Sequence, residues 1–287
     1  RDGLVFSLER LFSADCYRAG DGVLAAWLQR RAVYDPRWES WLRSFFPKQR
    51  RMLELEKHCF SARDTGAVIV NSNMVAREIA AHSDYPSDRV HLVRNAVPED
   101  FAAGAPARAE ARRRLGLPEN GFVAAFVGTG WKRKGLRFAV AALRRARVPG
   151  AVLAVAGRGP QRAHRSPGVV FLGPQGDVRP LLAAADVFIL PTVYDPFSNA
   201  CLEALALGRP VITTAANGCA EILDEGVTGS VAAEPHDVAA LAAALEYWSA
   251  DGRVIAAEEA CRATAARFTL ADNVRRTMEI LESARPG

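Results

Sequence analysis

The sequence predicts an α/β protein built on a doubly wound, Rossmann-like parallel sheet. Two observations carry this. Between residues 120 and 232 short apolar runs alternate with helical patterns, the arrangement of parallel strands covered on both faces. Three successive runs, moreover, open onto glycines, which points to one shared crevice at the carboxyl ends of the strands.

The elements follow in order. Residues 23–64 carry a helical pattern with a break at Phe46-Pro47, since proline lacks the N–H a helix interior needs. The runs AVIV (67–70) and VHLV (90–93) predict strands. Between them NSNMVAREIAAH (71–82) begins with Asn and Ser suited to capping a helix. Residues 98–120, rich in Pro, Ala and charge, read as a linker leading into a short helix. Strands are then expected at 122–128, 151–157, 169–173, 186–190, 210–214 and 229–233, with helical stretches near 135–147, 177–185, 199–207 and 219–224. Helices near 236–249, 253–266 and 269–284 close the chain.

Two clear strands before residue 97 are too few for a complete parallel domain. At ~30 residues per βα unit, about 90 residues are expected to be missing from the start. Residue 1 is Arg, not Met, which agrees with that expectation.

Composition narrows the function classes. The 287 residues are 49% apolar and 24% charged, ordinary for a globular protein, and every apolar run is interrupted before it reaches membrane-spanning length. The five cysteines are scattered and never spaced C-x-x-C, which favours reduced thiols in a cytosolic setting over disulfides or a zinc site. Cys201 reads as core. The five histidines share no ligand-like spacing, so no metal is assigned. A net charge of +5 suits an anionic small molecule or membrane surface, and no motif supports nucleic-acid binding.

The chemistry-bearing residues fall in the loops after the strands. Residues 128–135 read GTGWKRKG: Gly128 and its neighbours allow close backbone approach, while Lys132, Arg133 and Lys134 add positive charge where a helix begins. A diphosphate fits that pairing. A glycine turn with a solvated basic cluster fits equally, and neither a Walker A loop nor G-x-G-x-x-G is present. Gly157 in GRGP (157–160) and Gly173 in FLGPQGD (171–177) mark the next two strand ends.

The fourth strand runs into YDPFSNACLEALALGRPV (194–211). Pro191 ends the strand, Asp195 sits in the loop, and Ser198 or Asn199 is placed to cap the next helix. From Ala200 to Leu207 that helix is apolar on every side except at Glu203, so it is expected to be buried. No Lys or Arg stands at i+3 or i+4, where Ala206 and Leu207 lie. A buried carboxylate without a local partner is costly, and hydroxyl groups of a ligand would satisfy it. The PFSN backbone adds amides for an anion.

Two acids separated by seven residues, followed by LEALALGRPVI and NGCAEIL (217–223), resemble the E-x7-E signature of family 4 retaining glycosyltransferases of the GT-B fold. VRNAVP (93–98), V-G…R-K-G (127–135), the G-x-G-P turn and AADVFILP (184–191) match the family in the same order, over about 90–232. SLERLFSADCYRAGDGV (7–23) is similar, more narrowly, to bacterial lipopolysaccharide-core glucosyltransferases.

The resemblance implies two Rossmann-like domains facing a cleft, the N-terminal one incomplete. Residues 1–97 would form the acceptor-side domain and 98–268 the nucleotide-sugar domain, with 269–287 a helix packing back toward the first. It implies transfer of a hexose from a UDP-sugar, glucose by preference, to a lipopolysaccharide-core or related glycan, with the nucleotide sugar as substrate and no cofactor. Arg133 and Lys134 would neutralise the diphosphate, and Glu203 would accept hydrogen bonds from the ribose. Asp195 with the amides of Phe197, Ser198 and Asn199 would grip the sugar and distal phosphate. Gly128 and Gly157 belong to the donor loops, and Gly173 and Gln175 lie where the family contacts the base. Asp15, in A-D-C-Y, would face the reacting centre, so the expected catalytic set is Asp195, Lys134, Arg133 and Asp15. The first acid is Asp where the family usually has Glu, one methylene shorter.

No D-x-D occurs, so catalysis is expected to need no metal. An epimerase of the same fold and a non-catalytic sugar-nucleotide-binding fragment stay open as alternatives.

Residues 27–58 mix Trp27, Trp38, Trp41, Phe45 and Phe46 with eight Lys/Arg and four acids. Such a segment fits a peripheral contact with an anionic membrane, on the inner face of the cytoplasmic membrane, or a phosphorylated acceptor. Packing of aromatic helices under a solvated basic face fits equally.

Overall fold

The protein is described by a computed structural model covering residues 3–36 and 47–284. It divides into two compact units. The first joins the chain up to Asn95 with Tyr194–Phe197 and everything from Leu270 onward; the second holds Ala96–Val193 and Ser198–Thr269.

The first unit has a parallel four-stranded sheet, β1 (Phe6–Ser7), β2 (Ala14–Arg18), β3 (Thr65–Val70) and β4 (Val90–Leu92), in sequential order. Only β3 and β4 are expected from the sequence. Strand β1 has two residues and β2 five, ADCYR, too short and too polar to read as an apolar run. They are strands because their neighbours supply the ladder.

Alternation along β2 and β3 separates two cores. Tyr17, Val68 and Val70 pack with Val23, Cys59, Met74 and Ile79 under helices α1 (Leu24–Tyr34), α2 (Pro47–Cys59) and α3 (Asn73–His82). Cys16, Ala67 and Ile69 turn the other way, where Ile280, Leu281 and Ala284 cover them. Ser72 caps α3 as expected, its hydroxyl accepting the Val75 N–H. Trp27 stacks on Tyr194 in the first core; Trp38, Trp41, Phe45 and Phe46 lie outside the described residues.

The second unit holds six parallel strands: β5 (Val123–Val127), β6 (Val152–Ala156), β7 (Val169–Gly173), β8 (Val187–Leu190), β9 (Val211–Thr214) and β10 (Gly229–Ala232). All six fall within the apolar runs of the sequence. Their order is β10-β9-β8-β5-β6-β7, so the chain winds outward from β5 to β7 and then crosses back to lay β8 on the other side of β5.

The helices of this unit are α4 (Arg108–Leu115), α5 (Trp131–Lys134), α6 (Leu136–Arg145), α7 (Arg179–Ala184), α8 (Asn199–Ala206), α9 (Val238–Ser249) and α10 (Arg253–Ala266). They pack in pairs: α6 with α9, α8 with α10, α4 with α7. The last helix, α11 (Leu270–Ser283), belongs to the first unit. The helical pattern at 219–224 is instead a 3₁₀ turn, Gly218–Ile222, capped by the Asn217 side chain on the Cys219 N–H. Five residues opening on glycine are too few to propagate an α-helix. No helix among the described residues is long and apolar enough to cross a membrane.

One buried ion cluster fixes the sheet from below. Asp186, at the foot of β8, accepts the Val123 N–H at 2.6 Å and pairs with Arg112 at 2.8 Å and with Arg108. Arg112 in turn donates to the carbonyls of Ala184, Glu119 and Gly121. Replacing Asp186 by Ala strands a buried guanidinium and a buried amide, and is expected to cost about 3–5 kcal/mol in urea unfolding of the chain.

Candidate active site

In a parallel sheet every carboxyl end lies along one edge, and a crevice opens where neighbouring strands send their connections in opposite directions. In the second unit that point is between β5 and β8. The flanking segments are 128–135, after β5, and the start of α8, after β8.

The two loops are joined directly. The Arg133 carbonyl accepts the Val193 N–H at 2.8 Å and the Thr192 hydroxyl at 3.0 Å. Trp131, buried against Phe171, donates its indole N–H to the Gly128 carbonyl at 2.9 Å. The Lys134 stem lies over Gly128, where an added side-chain carbon would stand 3.3 Å from Lys134 Cγ. Arg133 and Lys134 are half-buried and Lys132 exposed.

Gly157 has φ +129°, and a side-chain carbon there would come within 1.9 Å of the Gly128 carbonyl oxygen. Glycine is therefore required by close approach of two backbones. The Gly157 N–H donates to Gly173 O and the Gly128 N–H to Ala156 O, so the three glycine-bearing strand ends are linked edge to edge. Gln175 is exposed, its amide folded onto the Leu172 carbonyl at 2.7 Å.

Helix α8 differs from expectation in one respect: it is not buried all round. Cys201, Leu202, Ala204 and Leu205 face the core, while Asn199, Ala200, Glu203 and Ala206 form a partly exposed stripe at helical spacing. The alanines of that stripe, apolar but small, disguise it in the sequence. The Glu203 carboxylate accepts no hydrogen bond and forms no ion pair among the described residues. Burial, and after it the charge of Asp177, hold its carboxyl above the ordinary range.

Ser198 occupies the N-cap position without capping: its hydroxyl is buried and has no hydrogen-bond partner among the described residues. Its N–H is engaged elsewhere, donating to Asn217 Oδ1 at 3.3 Å. The buried Asn217 also accepts from the Cys219 N–H and donates to Thr213 Oγ1 and Cys201 Sγ. This one amide ties β9, the 3₁₀ turn and the start of α8 together. In the sequence it is only the first residue of NGCAEIL, and its hub role does not show there because its four partners are spread over residues 198–219.

The remaining expected residues belong to the first unit. Asp195 and Phe197 are buried there, and Asn95 Nδ2 donates to the Phe197 carbonyl at 3.3 Å. Asp15, in β2, closes a clasp with Val5: its Oδ2 accepts the Val5 N–H at 2.7 Å while its own N–H donates to Val5 O.

Residues 121–251 match the family described as glycosyl transferases group 1. The chain is 31% identical over 198 residues to 2-deoxystreptamine glucosyltransferase of Streptomyces kanamyceticus, covering 64% of this chain and 51% of that one. It is 29% identical over 239 residues to the lipopolysaccharide core biosynthesis glycosyltransferase LpsE of Rhizobium meliloti, covering 80% and 66%. The chain thus spans between half and two thirds of these relatives.

Among solved structures it is similar to WaaG, a glycosyltransferase involved in lipopolysaccharide biosynthesis (TM-score 0.82, 23% identity, 98% of this chain and 78% of that one). It is also similar to Anabaena HepE in complex with UDP and glucose (TM-score 0.75, 19% identity, 93% and 71%). Their common architecture is two parallel Rossmann-like sheets, the GT-B type.

A carboxyl raised by burial binds its proton more tightly folded than unfolded, so its ionisation opposes folding above the raised value and is neutral below about 4.5. Glu203→Gln is therefore expected to raise the melting temperature of the ligand-free chain at neutral pH. That gain shrinks as pH falls and vanishes toward pH 4, as thermal melts across pH would read.

Proposed function

We propose that the chain is a retaining glycosyltransferase that moves a hexose, glucose by preference, from a UDP-sugar to a lipopolysaccharide-core or related glycan acceptor, without a metal ion. The observation that carries this is the Glu203 carboxylate: partly exposed, unpaired among the described residues, and on the helix that begins at the switch point of the second sheet. A carboxylate offers only acceptors, and ribose hydroxyls are donors of the matching kind.

Glycosyl transfer breaks the bond between the anomeric carbon and the diphosphate. Negative charge collects on the leaving group, and rate follows how well that charge is met. Arg133 and Lys134 meet it in this reading, and retention follows from same-face attack with the leaving phosphate accepting the acceptor's proton. Gly128 and Gly157 let the phosphates approach, Gly173 and Gln175 lie toward the base, and Asp195 holds the sugar. The Ser198 amide is committed to Asn217, which leaves it out of the distal-phosphate grip. Asp15 keeps one carboxylate oxygen beyond its bond to Val5 for the acceptor side. The basic residues of 27–58 suit an anionic membrane or phosphorylated acceptor, and the enzyme would act at the inner face of the cytoplasmic membrane.

Lys134→Ala is expected to lower turnover by roughly 10²-fold, more than it lowers affinity for the intact UDP-sugar donor, since the charge acts mainly on the transition state; UDP release and calorimetry with the donor measure the two, and undiminished turnover removes Lys134 from the mechanism. Glu203→Gln should weaken UDP about tenfold, the worth of one charged hydrogen bond. Unchanged affinity returns Glu203 to a structural role. Turnover persisting in excess chelator checks metal independence.

A further inference from the structure

The segment Tyr194–Phe197 carries Asp195, and the first unit holds it at both ends. At one end the Tyr194 hydroxyl donates to Glu78 Oε2 at 2.7 Å and accepts the Val23 N–H at 2.9 Å. Its ring stacks on Trp27, with centroids 6.0 Å apart. Gly22, at φ +73°, makes room: a side-chain carbon there would stand 2.2 Å from the Tyr194 oxygen and 2.8 Å from Pro196 Cγ. At the other end Asn95 holds the Phe197 carbonyl, and Arg18 holds Asn95 Oδ1 at 3.4 Å.

A tyrosine serving only as apolar filler would not need its hydroxyl met from both sides. Here the oxygen links the Val23 amide at the start of α1 to the half-buried Glu78 carboxylate on α3, and the glycine that admits it has no other residue type to replace it without collision. The residue fixed this way is the immediate chain neighbour of Asp195.

We propose that Tyr194, through Glu78 and Val23, is the positioning residue that sets the place of Asp195 and the Phe197 amide, and hence the grip on the donor's sugar and distal phosphate; this rests on the role given above to Asp195. In that reading the socket acts on the donor only through this segment. Its loss therefore weakens ligands that carry the sugar and distal phosphate and spares those that lack them.

The test is calorimetric titration of the full chain with UDP-glucose and with UMP, which has neither group, folding being followed by circular dichroism. Tyr194→Phe and Glu78→Leu are expected to weaken UDP-glucose roughly tenfold, about one hydrogen bond, and to leave UMP within about twofold. Glu78→Gln keeps an acceptor for the hydroxyl and should match the wild type. Equal weakening of both ligands, or none of UDP-glucose, in folded variants overturns the positioning role alone. Should Tyr194→Phe not fold, the Glu78→Leu and Glu78→Gln pair decides by the same comparison. A wild-type chain that binds UMP as tightly as UDP-glucose overturns the sugar-gripping role of Asp195, and the positioning role with it.

Discussion

Strand β8 lies against β5 instead of beside β7, which precedes it in the chain, and much of the second unit depends on that placement. The crossover reverses the winding of the sheet, so the connections after β5 and β8 leave in opposite directions and a crevice opens between them. Asp186 at the foot of β8 secures the arrangement by binding the first amide of β5 and two arginines. At the other end of the same two strands the Arg133 carbonyl receives Thr192 and Val193. One strand pair is thus clamped at both ends, and the candidate site is built on its upper clamp.

The carboxylates divide by whether the protein satisfies them. Asp186 is met by two guanidinium groups and an amide. Glu56, buried in the first unit, accepts the Leu24 and Ala25 amides that begin α1 and pairs with Arg10 at 3.3 Å. These are structural acids, with donors preorganised around them. Glu203 is partly exposed, its carboxylate has no protein donor among the described residues, and burial with the nearby charge of Asp177 holds its carboxyl above the ordinary range. Folding tolerates such a group where something outside the chain supplies donors, which is why a partnerless acid at a switch point says more about function than any of the better-bonded acids.

Much of this was legible in the sequence. The six strands of the second sheet fall in apolar runs, with β6, β8 and β9 buried throughout and the edge strand β7 partly exposed, so composition marks them. The first sheet was half legible: β3 is an apolar run, whereas β1 and β2 are short, and their strand character comes from pairing with each other, Phe6 with Cys16, and of β2 with the distant β3, Cys16 with Ala67. The partly exposed stripe on α8 was hidden because alanine is equally at home in core and surface. Asn217 and Tyr194 were hidden for another reason. Tyr194 acts through Val23 and Glu78, far off in the chain, and Asn217 joins its near neighbours Thr213 and Cys219 to the start of α8. Residue type alone does not separate a hydrogen-bonding hub from an ordinary buried polar residue.

By itself, then, the sequence determined the local matters: where chain must be extended and doubly buried, where glycine must bend, and which acid has no partner within a helical turn. Tertiary structure alone decided which strand lies beside β5, which unit holds Tyr194–Phe197, and which amides at the start of α8 are already committed. The physical reason is range. Propensity, periodicity and turn chemistry act over a few residues, while strand order and hydrogen-bond partnership are settled by contacts that form only when the whole chain has closed.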